Sequence, residues 1–293
     1  MTTWKNVSAL LLVVCLLAVA GAAQAAVPET VPVANPGNAA DTTGYGAVAY
    51  EYRIGKYEVT NTEYCEFLNA VAKSDSHGLY DPRMATEQED QNYGGITRKG
   101  WSGNYSYAVK PGKGNWPVNY VTWESAARYT NWLSNGAGEG DTEKGNYTFK
   151  WGEVKGPDHA ALATGKKTQW VIASENEWYK AAYYDPDKSG GAGYWTYPAK
   201  SNSATDANLN SNAPTAVGTY AGAASAYGTF DQGGNVWEYN DNRSGDKVGL
   251  RGGSFFINDH QGYMRSATRY DVLSAKWPNY GFRVVALGDS ETK

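Results

Sequence analysis

Three blocks close this chain in a fixed order: Asp231-Gln232-Gly233-Gly234-Asn235-Val236-Trp237-Glu238-Tyr239, then Leu250-Arg251-Gly252-Gly253-Ser254-Phe255, then Asn279-Tyr280-Gly281-Phe282-Arg283-Val284-Val285. No bias of composition produces that succession. Glycine is frequent along the whole chain, at 34 residues, which fits many turns and few long regular elements. The aromatic inventory agrees, with 23 Tyr and 11 Trp against 6 Phe. Tyrosine and tryptophan join a large apolar body to a hydrogen-bonding edge, so they suit loop-rich cores and wet binding surfaces alike. For any single ring, packing beneath a loop is the commoner use.

Helices are expected where local signals coincide. Thr60 with Glu63 makes a capping box, and Tyr64, Phe67, Leu68 and Val71 repeat at helical spacing, which predicts an amphipathic helix over 61–72. The run 52–59 before it alternates as a strand does. Thr122 is the expected cap of a second helix over 124–133, with Ala126, Thr130 and Leu133 on one face. Trp170-Val171-Ile172-Ala173 reads as a strand, and Ser174 with Glu177 forms another capping box opening a helix through Trp178, Ala181 and Ala182. The polar, Gly- and Tyr-rich stretch 73–114 reads as ordered loop or short hairpins. Short strands, modest helices and no βαβ alternation give an α+β class.

The N-terminus has a basic residue at Lys5, an apolar run over 9–20 and a small-residue end at Ala23-Gln24-Ala25, the layout of a secretory signal peptide. Residues 1–25 are therefore expected to be cleaved, taking Cys15 with them, and the mature protein to be secreted or periplasmic. The run is short for a membrane span, and no other segment replaces it. Residues 26–43, rich in Ala, Pro, Val and Asn, read as a flexible leader, 44–288 as one domain and 289–293 as a tail. Only Cys65 then remains, so no intramolecular disulfide forms; beside an apolar stripe it reads as a buried small hydrophobe. A net charge of -4 offers no basic field for nucleic acid or for an anionic membrane surface.

The closing blocks resemble those of the formylglycine-generating enzyme family, also called the sulfatase-modifying factor domain. Gly55-Lys56-Tyr57-Glu58-Val59-Thr60-Asn61, Pro117-Val118-Asn119-Tyr120-Val121-Thr122-Trp123 and Ser174-Glu175-Asn176-Glu177-Trp178 resemble its earlier motifs, so the likeness runs over about 52–287. The resemblance implies a C-type-lectin-like α+β fold with little regular secondary structure. It also implies calcium at Asp231, Gly234, Val236 and Glu238. Hard Ca2+ takes oxygen ligands, and on an extended strand the carbonyls of Gly234 and Val236 would aim the same way beside the two carboxylates. A second, weaker calcium site is implied at Asn208 and Leu209, where the following loop lacks a carboxylate and only Asp206 stands near.

The family's catalytic copper is not expected. Its two cysteine positions fall at Ile257 and Gly262, and no cysteine occurs between 254 and 293. His77, His159 and His260 show no metal-ligand spacing and read as solvated loop histidines. Trp237, Ser254 and Asn279 match positions that line the family's substrate groove, and the cleft expected here is rimmed by these three with Tyr263 and Arg269, while Arg251 and Arg283 stand either in the cleft or paired with buried carboxylates such as Glu238 or Glu177. Retained walls without thiolates suggest an exported, calcium-supported, non-catalytic module that binds an extended peptide or a glycan. The competing expectation is a metal-dependent oxidoreductase of the same family, using His260 or Cys65 in a non-standard site.

Overall fold

Two four-stranded sheets carry the protein; one draws its strands from distant parts of the chain, the other from residues 237–282 alone. The computed structural model describes residues 27–87, 92–204, 206–209, 211–256 and 260–288. The expected signal peptide and tail lie outside them. In chain order the elements are β1 (Thr30–Val33), β2 (Tyr52–Gly55), α1 (Asn61–Val71), β3 (Ile96–Lys99), β4 (Ser106–Val109), α2 (Trp123–Ser134), β5 (Thr148–Lys150), β6 (Glu153–Lys155), α3 (His159–Ala163), β7 (Gln169–Ile172), α4 (Glu175–Tyr183), β8 (Tyr184–Asp185), β9 (Gly193–Tyr194), β10 (Trp237–Ser244), β11 (Lys247–Arg251), β12 (Tyr270–Leu273), β13 (Tyr280–Phe282) and β14 (Val284–Leu287). The first sheet has the order β1-β2-β14-β7 and the second β12-β11-β10-β13. Among the described residues, no helix is long and apolar enough to cross a membrane.

The three helices that local signals predict form where those signals lie. Thr60 and Ser174 each accept from the backbone N–H three residues on, and Glu63 and Glu177 return the bond, so both capping boxes close. Thr122 caps α2 by accepting from Ser125. The stretch after α1 folds into the β3–β4 hairpin and a short 3-10 turn over Pro82–Ala85.

The expected leader over 26–43 is corrected. Residues Thr30–Val33 pair antiparallel with β2, Val33 opposite Tyr52, and Val33 is fully buried. Lys180 Nζ donates to Asn35 O, tying the next turn to α4. Order thus begins well before Gly44, because β2 would otherwise present an unpaired edge.

The core uses tyrosine where phenylalanine is commoner, and the hydroxyls have work to do. Tyr64 donates to Leu79 O, Tyr183 to Met264 O and Tyr239 to Ala275 O, while Trp123 Nε1 donates to Asn240 O. Buried rings thereby satisfy the carbonyls of irregular segments that no sheet ladder reaches. Between β13 and β14 stands a single residue, Arg283, so the chain steps from one sheet to the other beside the site.

Candidate functional site

The second sheet begins at Trp237, whose register partner across β13 is Tyr280. Leu250 on β11 faces Tyr270 on β12. Trp237, Leu250, Tyr263, Tyr270, Val272, Asn279 and Tyr280 together line a hollow of about 270 Å3.

 Trp237 meets Tyr270 edge-to-face at 5.4 Å between centroids and Tyr263 at 5.5 Å. Outside them His260 stacks on Tyr263 at 4.1 Å. Asn279 supplies the one side-chain amide of the lining, and no charged side chain enters it.

Two of the five residues expected on the rim stand elsewhere. Ser254 is fully buried, and its Oγ accepts from Asn279 Nδ2 at 3.1 Å, so it orients the amide from behind. Arg269 donates to Glu175 Oε2 at 2.7 Å and to both oxygens of Asp271, which with Glu175 hold its pKa above the usual arginine range despite burial. A guanidinium committed to two carboxylates has little left for a ligand. Arg251, also fully buried, pairs with the other oxygen of Glu175.

The calcium set expected around Glu238 is likewise corrected. Glu238 receives Arg283 Nε at 2.6 Å, Arg283 Nη2 at 2.6 Å and Trp178 Nε1 at 2.7 Å, with both charged partners fully buried. Its oxygens are thus already engaged in a bidentate ion pair. Gly234 and Asn235 have φ of 87° and 55°, so Gly234 and Val236 do not lie on one extended strand and their carbonyls are not aligned by it. Asn208 donates to Ala213 O at 3.0 Å and to Asn235 Oδ1 at 3.2 Å, while its Oδ1 accepts from Ser211, so it braces a turn; Leu209 follows in that turn and Asp206 is exposed. Among the described residues, no three His, Cys, Asp or Glu side chains are grouped to hold a metal.

One carboxylate nearby has no such commitment. Glu58 is 1 % exposed, and neither of its oxygens has a hydrogen-bond partner. Burial first, then Asp231 and Glu238, push its carboxyl well above the usual range against the pull of Arg283. Nothing local marks Glu58 in the sequence, because a glutamate shortly before a helix cap looks like a surface residue.

His159 corrects a further expectation. It is held between two carboxylates, with Nδ1 3.0 Å from Glu177 Oε2 and Nε2 3.1 Å from Asp241 Oδ2. Tyr50 donates to Glu177 and Tyr147 to Asp241. Burial alone would depress its pKa; Glu177 and then Asp241 override that and raise it to about 10. Its partners lie 18 and 82 positions away, beyond any local spacing signal. Of the copper positions, Gly262 sits in the 3-10 turn Gln261–Met264, and Ile257 lies outside the described residues. Cys65 is buried, which pushes its thiol up to about 11.

Residues 22–287 match the family described as Sulfatase-modifying factor enzyme 1-like domain. The chain belongs to that family. Hercynine oxygenase of Mycolicibacterium smegmatis is 27% identical over 197 residues, covering 64% of this chain and 36% of the relative. This sulfatase-modifying factor domain therefore spans about a third of that relative's length. The crystal structure of CarF superposes with a TM-score of 0.55 at 17% identity, over 89% of this chain and 99% of CarF. PvdO from Pseudomonas aeruginosa gives 0.47 at 17% identity, over 89% and 92%. The α+β fold expected from the motifs is the observed one.

Proposed function

We propose that this member of the family is an exported, non-catalytic, calcium-supported module whose aromatic hollow binds an extended peptide or a glycan. One observation carries the reading: Trp237, Tyr263, Tyr270 and Tyr280 offer ring faces and edges around Asn279, while the described lining holds no imidazole, thiol or carboxylate. Such a surface stacks and hydrogen-bonds, and lacks the usual groups for moving a proton at neutral pH. Export is supported by the signal-peptide layout of residues 1–25.

A second reading, a metal-dependent oxidoreductase, draws support from the likeness to hercynine oxygenase and from His260 stacked outside the hollow. Shared family is weaker support than a built site. The test is a screen of immobilised glycans and extended peptides with wild type and Tyr263→Ala. The binding reading expects a ligand whose affinity falls at least about tenfold in the variant, as for an aromatic anchor. Turnover of a Cys-x-Pro-x-Arg peptide to formylglycine with copper and oxygen would overturn it.

A further inference from the structure

We infer that the folded protein joins Lys113 to Asn92 through a side-chain isopeptide bond, with Lys110 as the cation that promotes it. The two lysines are the ends of one tight turn. Lys113 N–H donates to Lys110 O at 3.0 Å across Pro111 and Gly112, and Gly112 has a φ of 76°, the left-handed value that such a proline-glycine turn requires. Lys110 N–H donates to Gly95 O at 2.8 Å, which fixes the turn against the segment that carries Asn92. Both ammonium groups then converge on one amide oxygen: Asn92 Oδ1 accepts from Lys110 Nζ at 2.7 Å and from Lys113 Nζ at 2.8 Å. Each also donates to a backbone carbonyl, Lys110 to Thr86 O and Lys113 to Asn92 O. Both lysines are buried and these acceptors are neutral, so two like charges share one dipole, an arrangement that a low-dielectric interior disfavours.

A carbonyl bond of about 1.23 Å puts Asn92 Cγ within about 4 Å of Lys113 Nζ, close to attack distance. Burial first, and then the charge of Lys110, brings the Lys113 pKa down to about 8, against the pull of Glu87. A desolvated lysine that gives up its proton is a nucleophile. Its neutral amine attacks Cγ, and the new C–N bond forms while negative charge gathers on Oδ1, where Lys110 already donates. One proton passes from Nζ to Nδ2, the Cγ–Nδ2 bond breaks and ammonia leaves, so the exchange is redox-neutral. Cys65 is the only cysteine beyond residue 25, and a covalent staple of this kind does for a loop-rich chain what a disulfide cannot. It pins the segment whose Tyr93 packs on Phe255 at 5.3 Å between centroids, next to Ser254, which orients Asn279 of the hollow.

Purified full-length protein is held near the Lys113 pKa of about 8, and its intact mass and protease digest are measured by mass spectrometry. Wild type is expected to be lighter by one ammonia than the sequence between its observed termini, and to release a branched peptide joining Lys113 to Asn92. Lys113→Arg and Asn92→Ala are expected to keep the full mass and to yield no branch. Lys110→Met is expected to form the bond at least about tenfold more slowly, as for a lost oxyanion donor. Wild type of unreduced mass overturns the inference, a result that needs no variant to fold. So does an ammonia loss confined to unbranched peptides, which marks a succinimide closed by an asparagine on its own backbone. Bond formation at the wild-type rate in Lys110→Met overturns the part assigned to Lys110.

Discussion

At the scale of single residues, charge decides which side chains are structural. His159 shows this best, since an imidazolium between Glu177 and Asp241 answers two buried carboxylates at once. Its folded pKa, raised to about 10, exceeds the ordinary value of 6.5. The stabilisation is therefore complete below about pH 6.5 and is lost as pH climbs through about 10. Melting temperature between pH 6 and 10.5 is expected to fall for wild type and to run flatter, from a lower start, in His159→Gln. Parallel curves for the two proteins would mean that the imidazole is neutral in the fold.

At the scale of elements, caps and edges behave differently. Helices α1, α2 and α4 start at Thr60, Thr122 and Ser174 because each cap is closed within four residues of sequence. Strand β1 carries no comparable local signal: it is four residues long and contains Pro32, a residue tolerated on a sheet edge such as this one. Its worth lies in the burial of Val33. Val33→Ala is expected to cost about 1–3 kcal/mol in chemical denaturation, from two lost methyl groups. A change below about 0.5 kcal/mol, the scale of ordinary surface substitutions, would show β1 to be detached in solution.

At the scale of the whole molecule, the two sheets are joined too closely to melt apart. Phe282 pairs with Tyr239 in one sheet and Val284 with Ile172 in the other, and Arg283 between them reaches Glu238 on β10 and Gly55 O at the end of β2. Losing either sheet breaks that buried ion pair. Far-ultraviolet and near-ultraviolet circular dichroism are expected to report one coincident thermal transition. Two resolved transitions would show that the sheets fold separately.

The elements with closed local caps, the α+β class and the family are legible along the chain, because capping, periodicity and motif order are written in neighbouring residues. The pairing of the buried charges, by contrast, emerges only once the chain is packed. Arg283 and Glu238 lie 45 positions apart, and Arg251 and Glu175 lie 76 apart. Read along the chain, Glu238 resembles a calcium ligand, Arg269 a rim residue and His159 a solvated loop side chain. Each was reassigned by a partner that only the packed chain brings within hydrogen-bond distance. Burial enforces those pairings, since a charge removed from water must meet an opposite charge, a dipole, a proton or an ion.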